Sequence, residues 1–388
     1  MTIGISLPRA DGSFEMHRLR EPRLWSPRPS TGRRRVAYAA AHVVADPLAD
    51  NRIGGAARLD WEATLLVRRS LWAWGLGVAD AMDTAQRGMG LDWPAVQELV
   101  RRSALEAAAC GGDIIVGAGT DHVPESRSLT LDEVVAAYEE QLEFVESVGV
   151  TPVVMASRHL AVAARGADDY RFVYGKLLAQ VRRPVLLHWL GEMFDPALRG
   201  YWGTTDLDEA VETLLSLLRD YAPAVAGVKV SLLDAAREMR LRREVPEGVL
   251  VYTGDDFSYL ELIRGDGERH SHALLGAFDV AAPAAATALA LLDAGDDAGY
   301  EEALAPTVPL SRHLFGAPTP YYKTGITFLA WLNGQQRGFT MVGGLQSGRS
   351  VLHLVEAFRL ADAAGLVADP EFAVARLQRF LELSGVVR

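Results

Sequence analysis

The chain has 388 residues, of which 49% are hydrophobic and 23% charged, as is typical of a globular protein. Its 50 acidic and 39 basic residues give a net charge of −11, which argues against a nucleic-acid-binding surface. The single Cys110 excludes an intrachain disulfide and a multi-cysteine metal site. The sequence contains neither a signal-peptide pattern nor an apolar run of transmembrane length, so we expect a cytoplasmic protein without a membrane partner.

The first predicted element is a polar segment, residues 1–34, that carries Pro8, Pro22, Pro27 and Pro29. Prolines at this density interrupt regular structure, so we expect a poorly ordered lead-in. Eight short apolar segments follow and are predicted to be strands: residues 36–43, 77–82, 113–117, 151–156, 184–188, 226–234, 248–252 and 272–276.

Helical patterns separate these strands. Asp60 is placed to cap one helix, and Thr130 with Glu133 has the spacing of a capping box at the start of another. Strands that alternate with helices indicate a parallel α/β fold, and eight of them over about 250 residues favour a (β/α)8 TIM barrel over a doubly wound open sheet. We therefore expect a lead-in at residues 1–34, a barrel at residues 35–290 and a C-terminal helical extension at residues 291–388.

The sixth predicted strand contains a lysine, Lys229, among apolar residues. Burying a charged amine is costly, and losing the proton relieves that cost and leaves a neutral nucleophile. Such an amine forms Schiff bases with carbonyl compounds. The alternative is a strand-edge lysine whose ammonium group meets water or a carboxylate.

Three short motifs follow one another along the second half of the chain. Residues 227–234 read Gly-Val-Lys-Val-Ser-Leu-Leu-Asp, residues 253–256 read Thr-Gly-Asp-Asp, and residues 278–283 read Phe-Asp-Val-Ala-Ala-Pro. Together they resemble the sixth strand, seventh strand and eighth loop of the dihydrodipicolinate synthase and N-acetylneuraminate lyase family. The resemblance implies a (β/α)8 class I aldolase in which Lys229 forms the Schiff base. It also implies that no external cofactor is needed and that the protein is a homo-oligomer, a dimer or tetramer.

Two positions depart from the family pattern. Where the family has a G-T-T-G-E loop that holds a keto-acid carboxylate, this chain has Asp83 followed by Thr84. A carboxylate there repels a bound carboxylate, although Arg87 could offset it. Where the family has a proton-relaying tyrosine on the fifth strand, this chain has His188, which suits proton transfer near neutral pH. The departures indicate a different substrate.

Polar side chains are concentrated at the predicted carboxyl ends of the strands, which in a barrel all face one mouth. They match the needs of a polyhydroxylated small molecule, with Trp189 or Trp202 as a stacking surface. Asp83, Asp121 and Asp255 have the alternative of capping the helices that follow them, and His42 and His159 that of satisfied loop histidines. We predict Lys229 and His188 as catalytic residues and six further residues as substrate-binding: Asp83, Thr84, Gln86, Arg87, Asp121 and Asp255.

The predicted function is that of a Schiff-base-forming lyase acting on a keto-sugar or a sugar-derived keto acid. One alternative is a metal-dependent barrel lyase or isomerase, with ligands drawn from His42, Asp83, Asp121, His188 and Asp255. Another is a non-catalytic sugar-binding barrel. Lys176 is expected on the surface, and Lys323 is expected to pair with an acid near the mouth. Arg349 is expected in a plain connector, with phosphate binding by this glycine-bearing turn as the alternative.

Overall fold

A computed structural model describes residues 3–386. The strands are β1 (Gly4–Pro8), β2 (Phe14–Arg18), β3 (Ala37–Ala40), β4 (Gly77–Asp80), β5 (Ile114–Ala118), β6 (Thr151–Val154), β7 (Val185–Leu190), β8 (Val225–Ser231), β9 (Leu250–Thr253) and β10 (His272–Leu275). Strands β3 to β10 are parallel and pair in chain order, and β10 returns to β3 to close a barrel. The closure confirms the (β/α)8 barrel and rules out the open doubly wound sheet.

Helices lie between the barrel strands and continue after them. They are α1 (Trp61–Ala73), α2 (Trp93–Cys110), α3 (Leu131–Ser147), α4 (Arg158–Ala163), α5 (Ala167–Leu178), α6 (Leu207–Tyr221), α7 (Ala235–Glu244), α8 (Tyr259–Arg264), α9 (Phe278–Asp293), α10 (Asp297–Leu304), α11 (Val308–Leu314), α12 (Tyr322–Leu332), α13 (Val351–Ala363) and α14 (Pro370–Leu383). Asp60 caps α1 by accepting from the amide of Ala63, and Thr130 and Glu133 form the expected capping box. Both capping predictions are confirmed.

Side chains of the barrel strands alternate between two cores. On β8, Val228 and Val230 point outward into the apolar layer under the helices. Lys229 and Ser231 point inward toward the mouth. The barrel interior below them is filled by a separate cluster that includes Leu186 and Tyr252. The period-two alternation of a strand thus places the lysine inside the barrel.

The prediction of a poorly ordered lead-in is wrong for residues 4–18. They form an antiparallel hairpin, β1 with β2, in which Ile5 and Leu7 are buried against the C-terminal helices. Asp362 on α13 fixes the hairpin by accepting from the amide of Arg20 and contacting His17 at 2.9 Å. The hairpin is ordered because its apolar face completes the core of the extension. The boundaries at residues 34 and 290 stay a prediction.

The extension, α10 to α14, packs beside the barrel and reaches its mouth. The first two residues of α12, Tyr322 and Lys323, are buried at the mouth. Gly276, which follows β10, packs against the Tyr322 ring. None of the helices within residues 3–386 combines the length and the apolar character needed to cross a membrane.

Candidate active site

Lys229 extends into a small enclosed space at the carboxyl end of the barrel strands. We call this space the inner cavity; the centre of a water molecule can move through about 10 Å³ of it. It is lined by Ala40, Met82, Asp83, Thr84, Leu190, Phe194, Lys229, Ser231, Asp256, Gly276, Phe315 and Tyr322. Lys229 is only 7% exposed. Burial lowers the pKa of its amine below the ordinary value and outweighs the carboxyl groups of Asp83 and Asp256, which act in the opposite direction. The strand-edge alternative does not describe this lysine.

Asp256 faces Lys229 across the inner cavity. Its Oδ1 accepts a hydrogen bond of 3.0 Å from the amide of Ala277, just before α9. Burial raises the pKa of the Asp256 carboxyl to about 8, although the Ala277 amide and the charge of Lys229 act to lower it. At neutral pH the cavity therefore holds a carboxylic acid that can give up a proton, next to an amine whose neutral form is favoured by burial.

His188 lies beside Lys229 on the neighbouring strand, as its register partner between β7 and β8. Its Nε2 is 3.1 Å from Oγ of Ser231. Its Nδ1 is 3.9 Å from Oδ2 of Asp83 and has no hydrogen-bond partner among the described residues. Burial, and then the charge of Lys229, lower the pKa of the imidazole well below its ordinary value. The ring is thus neutral at pH 7 and has one nitrogen free toward Asp83.

Tyr322 brings a phenol into the inner cavity from the extension. Its hydroxyl is 2.8 Å from Oγ1 of Thr84, and its ring stacks on Phe315 with centroids 4.2 Å apart. Burial, followed by the charge of Asp83, raises the pKa of the phenol well above its ordinary value. Tyr322 can therefore donate or accept a hydrogen bond as a neutral hydroxyl, but it does not ionise near neutral pH.

A larger space, here called the outer cavity, lies next to the inner one; the centre of a water molecule can move through about 120 Å³ of it. Asp83, Leu190 and Phe194 line both and form the neck between them. Lys323 lines the outer cavity and donates to the carbonyl of Pro320 at 3.2 Å. Burial lowers the pKa of its amine to about 8. The expected ion pair between Lys323 and an acid is absent within residues 3–386.

Arg87 and Asp121 lie at the outer cavity and bind each other. Nε of Arg87 donates to Oδ2 of Asp121 over 2.6 Å, and a second guanidinium nitrogen contacts the other carboxylate oxygen. Although burial acts to raise it, the guanidinium lowers the pKa of Asp121 to about 2. Arg87 also donates to the carbonyls of Ala81 and Gly117. The pair shapes the wall of the outer cavity, and Arg87 is not free to offset the charge of Asp83.

Gln86 and Asp255 line neither cavity. The amide nitrogen of Gln86 donates to the carbonyl of Val342 at 2.8 Å, and so ties the second barrel loop to the extension. Oδ1 of Asp255 accepts from the amides of Phe257 and Ser258 just before α8, which is the capping alternative. Its neighbour Asp256 supplies the carboxyl group that faces Lys229.

The tryptophans expected to stack on a substrate point the other way. Trp189 and Trp202 are both buried in the layer under the helices, with ring centroids 6.3 Å apart. Arg349, considered for a phosphate, donates instead to backbone carbonyls that include Gly316 at 2.6 Å. Lys176 is on the surface, as predicted, and pairs with Asp132 at 2.8 Å.

His42 and His159 both have hydrogen-bond partners, as the satisfied-histidine interpretation predicts. Nδ1 of His42 is 2.7 Å from Asp279, and Nδ1 of His159 is 3.0 Å from Oγ1 of Thr120. Within the part of the chain that the structure describes, no three His, Cys, Asp or Glu side chains come together in a group that could hold a metal ion. The five candidate ligands proposed from the sequence are therefore not assembled into one site.

A family model described as "Protein of unknown function (DUF993)" matches residues 5–386. The chain belongs to this family. No curated protein matches the sequence.

Solved structures of dihydrodipicolinate synthases share the fold of this DUF993 member. The enzyme from Thermotoga maritima superposes with a TM-score of 0.64 at 16% identity, covering 86% of this chain and 99% of its own. A prophage protein of the dihydrodipicolinic acid synthase family from E. coli K12, in complex with pyruvate, gives 0.64 at 14% identity, with 91% and 99% covered. The chloride-inhibited enzyme from Acinetobacter baumannii, also with pyruvate, gives 0.65 at 14% identity, with 86% and 99% covered. The resemblance inferred from the sequence is confirmed at the level of the fold.

Proposed function

We propose that this protein is a class I lyase that cleaves or forms a carbon–carbon bond next to the carbonyl group of a hydroxylated substrate, with Lys229 as the Schiff-base nucleophile. The observation that carries the proposal is the position of Lys229, whose amine is buried in the inner cavity and shares it with two carboxyl groups but no other cation. Burial favours the neutral amine, which is the form that attacks a carbonyl carbon.

The first step joins Nζ of Lys229 to the carbonyl carbon of the substrate and gives a carbinolamine. Loss of water then forms the iminium ion: the departing oxygen carries one proton given up by the amine on addition and a second one from an acid in the site. Asp256 is suited to this role because its carboxyl group remains protonated up to a pH of about 8. The iminium ion that remains gains a compensating negative charge from the carboxyl groups of Asp83 and Asp256.

The second step uses the iminium ion as an electron sink. The bond between the α and β carbons breaks as a base removes the proton of the β-hydroxyl group, so an aldehyde leaves and an enamine stays on Lys229. Asp83 is placed to take this proton, and His188 acts behind it: the imidazole lines neither cavity, but it is neutral and its Nδ1 lies 3.9 Å from Oδ2 of Asp83. Protonation of the enamine carbon and hydrolysis of the iminium ion release the second product and restore the amine.

Each of the two cavities is expected to hold a different part of the substrate. The inner cavity holds the reacting carbonyl end, where the hydroxyl groups of Thr84, Ser231 and Tyr322 offer hydrogen bonds to substrate oxygens. The rest of the chain passes the neck at Asp83 and lies in the outer cavity, beside Arg87 and Asp121. A sugar-derived carbonyl compound is the substrate class that needs this many polar partners. The homo-oligomeric state and the cytoplasmic location stay predictions.

Borohydride reduction in the presence of small hydroxyaldehydes and hydroxyketones tests the proposal. The hydride converts an iminium ion into a stable secondary amine, and peptide mapping by mass spectrometry then locates it. We expect the added mass on Lys229 and not on exposed Lys176, and we expect Lys229→Met to remain folded but to lose the adduct. An unmodified Lys229 under conditions that support turnover would refute the proposal.

A further inference from the structure

The inner cavity has an unusual charge balance for an amine that binds carbonyl compounds. Among its twelve lining residues, Lys229 is the only basic one, and Asp83 and Asp256 are both acids. None of these lining residues is an arginine, and Arg87, four residues after Asp83, is bound to Asp121 and to two backbone carbonyls. The amine of Lys323, which interacts with the charge of Asp83, lines the outer cavity and not the inner one. The carboxyl groups of Asp83 and Asp256 can therefore balance the positive charge of an iminium ion on Lys229, without a negative charge on the substrate.

A 2-keto acid would disturb this balance. Its carboxylate is attached directly to the reacting carbon, so it must lie within a few ångströms of Nζ once the iminium ion forms. There it would meet the carboxylate of Asp83, and that of Asp256 once this residue has given its proton to the departing water, in a narrow space that Phe194 and Phe315 help to line. Like charges placed together in such a site repel strongly, because little solvent is left to screen them.

A hydroxymethyl group at the same position has the opposite effect. It carries no charge, and its hydroxyl can donate a hydrogen bond to a carboxylate oxygen of Asp83. The neighbouring pair of hydroxyls, Thr84 and Tyr322, is 2.8 Å apart and offers an acceptor to the same group. The polar groups that repel a carboxylate are therefore the partners that a neutral α-hydroxy ketone requires.

From this we infer that the inner cavity selects α-hydroxy ketones, with an uncharged hydroxymethyl group next to the reacting carbonyl, and rejects 2-keto acids, and that Asp83 is the residue that makes the distinction. This inference rests on the proposed Schiff-base chemistry at Lys229 and narrows it from keto-sugars and keto acids to the former. Asp83 also lines both cavities, so its charge acts on a substrate that spans them.

The test compares hydroxyacetone with pyruvate. Both are small methyl ketones that differ in having a hydroxymethyl group or a carboxylate beside the carbonyl. Each is incubated with the full-length protein and borohydride, and the adduct on Lys229 is quantified by peptide mapping. The adduct on exposed Lys176 in the same sample reports the intrinsic reactivity of each ketone. The amount of hydroxyacetone adduct is divided by the amount of pyruvate adduct at each lysine, and the quantity reported is this ratio at Lys229 divided by the ratio at Lys176.

We expect this normalised ratio to favour hydroxyacetone by about tenfold or more, as like-charge repulsion in a desolvated site implies. Asp83→Asn keeps the size of the side chain and removes the charge, so the ratio should fall toward one. Asp83→Thr serves as a second variant if the asparagine protein does not fold. Glu143→Gln, which removes an exposed carboxylate that lines neither cavity, should keep the wild-type ratio.

The outcomes separate the two proposals. Equal or faster trapping of pyruvate at Lys229 in the wild-type protein would overturn the selectivity and leave the Schiff base intact. A wild-type preference that persists in both Asp83 variants, or that falls equally in Glu143→Gln, would overturn the assignment to Asp83. No adduct on Lys229 from either ketone would overturn the proposed function, and this inference with it.

Discussion

Gly254 leaves the space through which the side chain of Lys229 reaches the inner cavity. A Cβ atom at position 254 would lie 2.8 Å from Cε of Lys229 and 2.2 Å from Oγ of Ser231, both closer than real atoms approach. The backbone of Gly254 does not require a left-handed conformation, so the requirement for glycine here is one of space alone. The glycine after β9 and the lysine on β8 thus form one structural unit.

This contact predicts the effect of Gly254→Ala. The added methyl group should displace the lysine side chain and reduce adduct formation at Lys229 on borohydride treatment by about tenfold or more, while the barrel stays folded, since overpacking costs about 1–3 kcal/mol. Gly166→Ala is the matched control, because a Cβ there meets no atom within 4 Å. Normal trapping in Gly254→Ala would show that the lysine does not depend on this space.

His188 is expected to move protons rather than to hold the substrate. His188→Gln should lower kcat by about 10²–10⁴-fold, the usual contribution of a general acid or base, while the adduct on Lys229 still forms. His353→Gln, which alters a ring stacked on His313 in the extension, should leave kcat unchanged. Equal kcat values in the wild type and His188→Gln would remove the imidazole from the mechanism.

The acidity of His188 can be followed separately by nuclear magnetic resonance of its ring nitrogens. Because burial and the charge of Lys229 lower the pKa of this imidazole in the folded protein, its protonation should occur well below pH 6.5. The unfolded chain binds this proton first as the pH falls, so the folded state loses stability on acidification below about 6.5. A ring that titrates near 6.5 would contradict the buried neutral imidazole.

The hydroxyl group of Tyr322 is expected to contribute to catalysis from outside the barrel. Tyr322→Phe keeps the ring stacked on Phe315 but removes the hydrogen bond to Thr84, and kcat should fall by about tenfold to a thousandfold if the hydroxyl positions substrate or protons. Tyr300→Phe removes a buried hydroxyl that donates to the carbonyl of Leu260, and neither residue lines a cavity. A similar loss of kcat in both variants would attribute the effect to stability instead.

Glu238 makes the stability of the fold depend on pH. It is buried on α7, where Ser271 donates to its Oε1 at 2.6 Å, and burial raises its pKa from 4.5 to about 8. The folded protein therefore holds a proton that the unfolded chain has lost between these two pH values. The contribution of this proton to the free energy of unfolding is complete below pH 4.5 and declines as the pH rises to about 8, above which no further loss occurs. The total loss is on the order of a few kcal/mol.

Glu238→Gln should remove that decline, because an amide does not titrate and can still accept from Ser271. Urea unfolding at pH 5.5 and at pH 8 measures the difference in the free energy of unfolding, which should be smaller in the variant than in the wild type. Exposed Glu143→Gln should behave like the wild type. The same pH dependence in all three proteins would show that Glu238 is not the group responsible.

The barrel and its lysine could be predicted from the sequence because both depend on local patterns. Short apolar runs separated by capped helices define the strands, and the period of two along residues 225–231 points Lys229 and Ser231 inward. The same alternation on β7 places His188 beside Lys229. These features need no knowledge of how distant segments pack.

The rest of the site depends on such packing and could not be predicted in the same way. Tyr322 is aligned with Thr84 only because α12 returns over the barrel mouth, which no local pattern specifies. Whether Asp255 or Asp256 faces Lys229 depends on the course of one loop, and Asp255 is instead bound to two amides. The hairpin has a pattern in the sequence, the alternation of Ile3, Ile5 and Leu7 before the turn at Gly12. Its stability, however, comes from packing against the distant α13.

The most direct test of the central claim is a crystal structure of the protein after borohydride reduction with hydroxyacetone. We expect continuous electron density from Nζ of Lys229 into the inner cavity, with the hydroxymethyl group of the adduct within hydrogen-bond distance of Asp83. An unmodified Lys229 in crystals of protein that is active toward a hydroxylated carbonyl substrate would contradict the Schiff-base account.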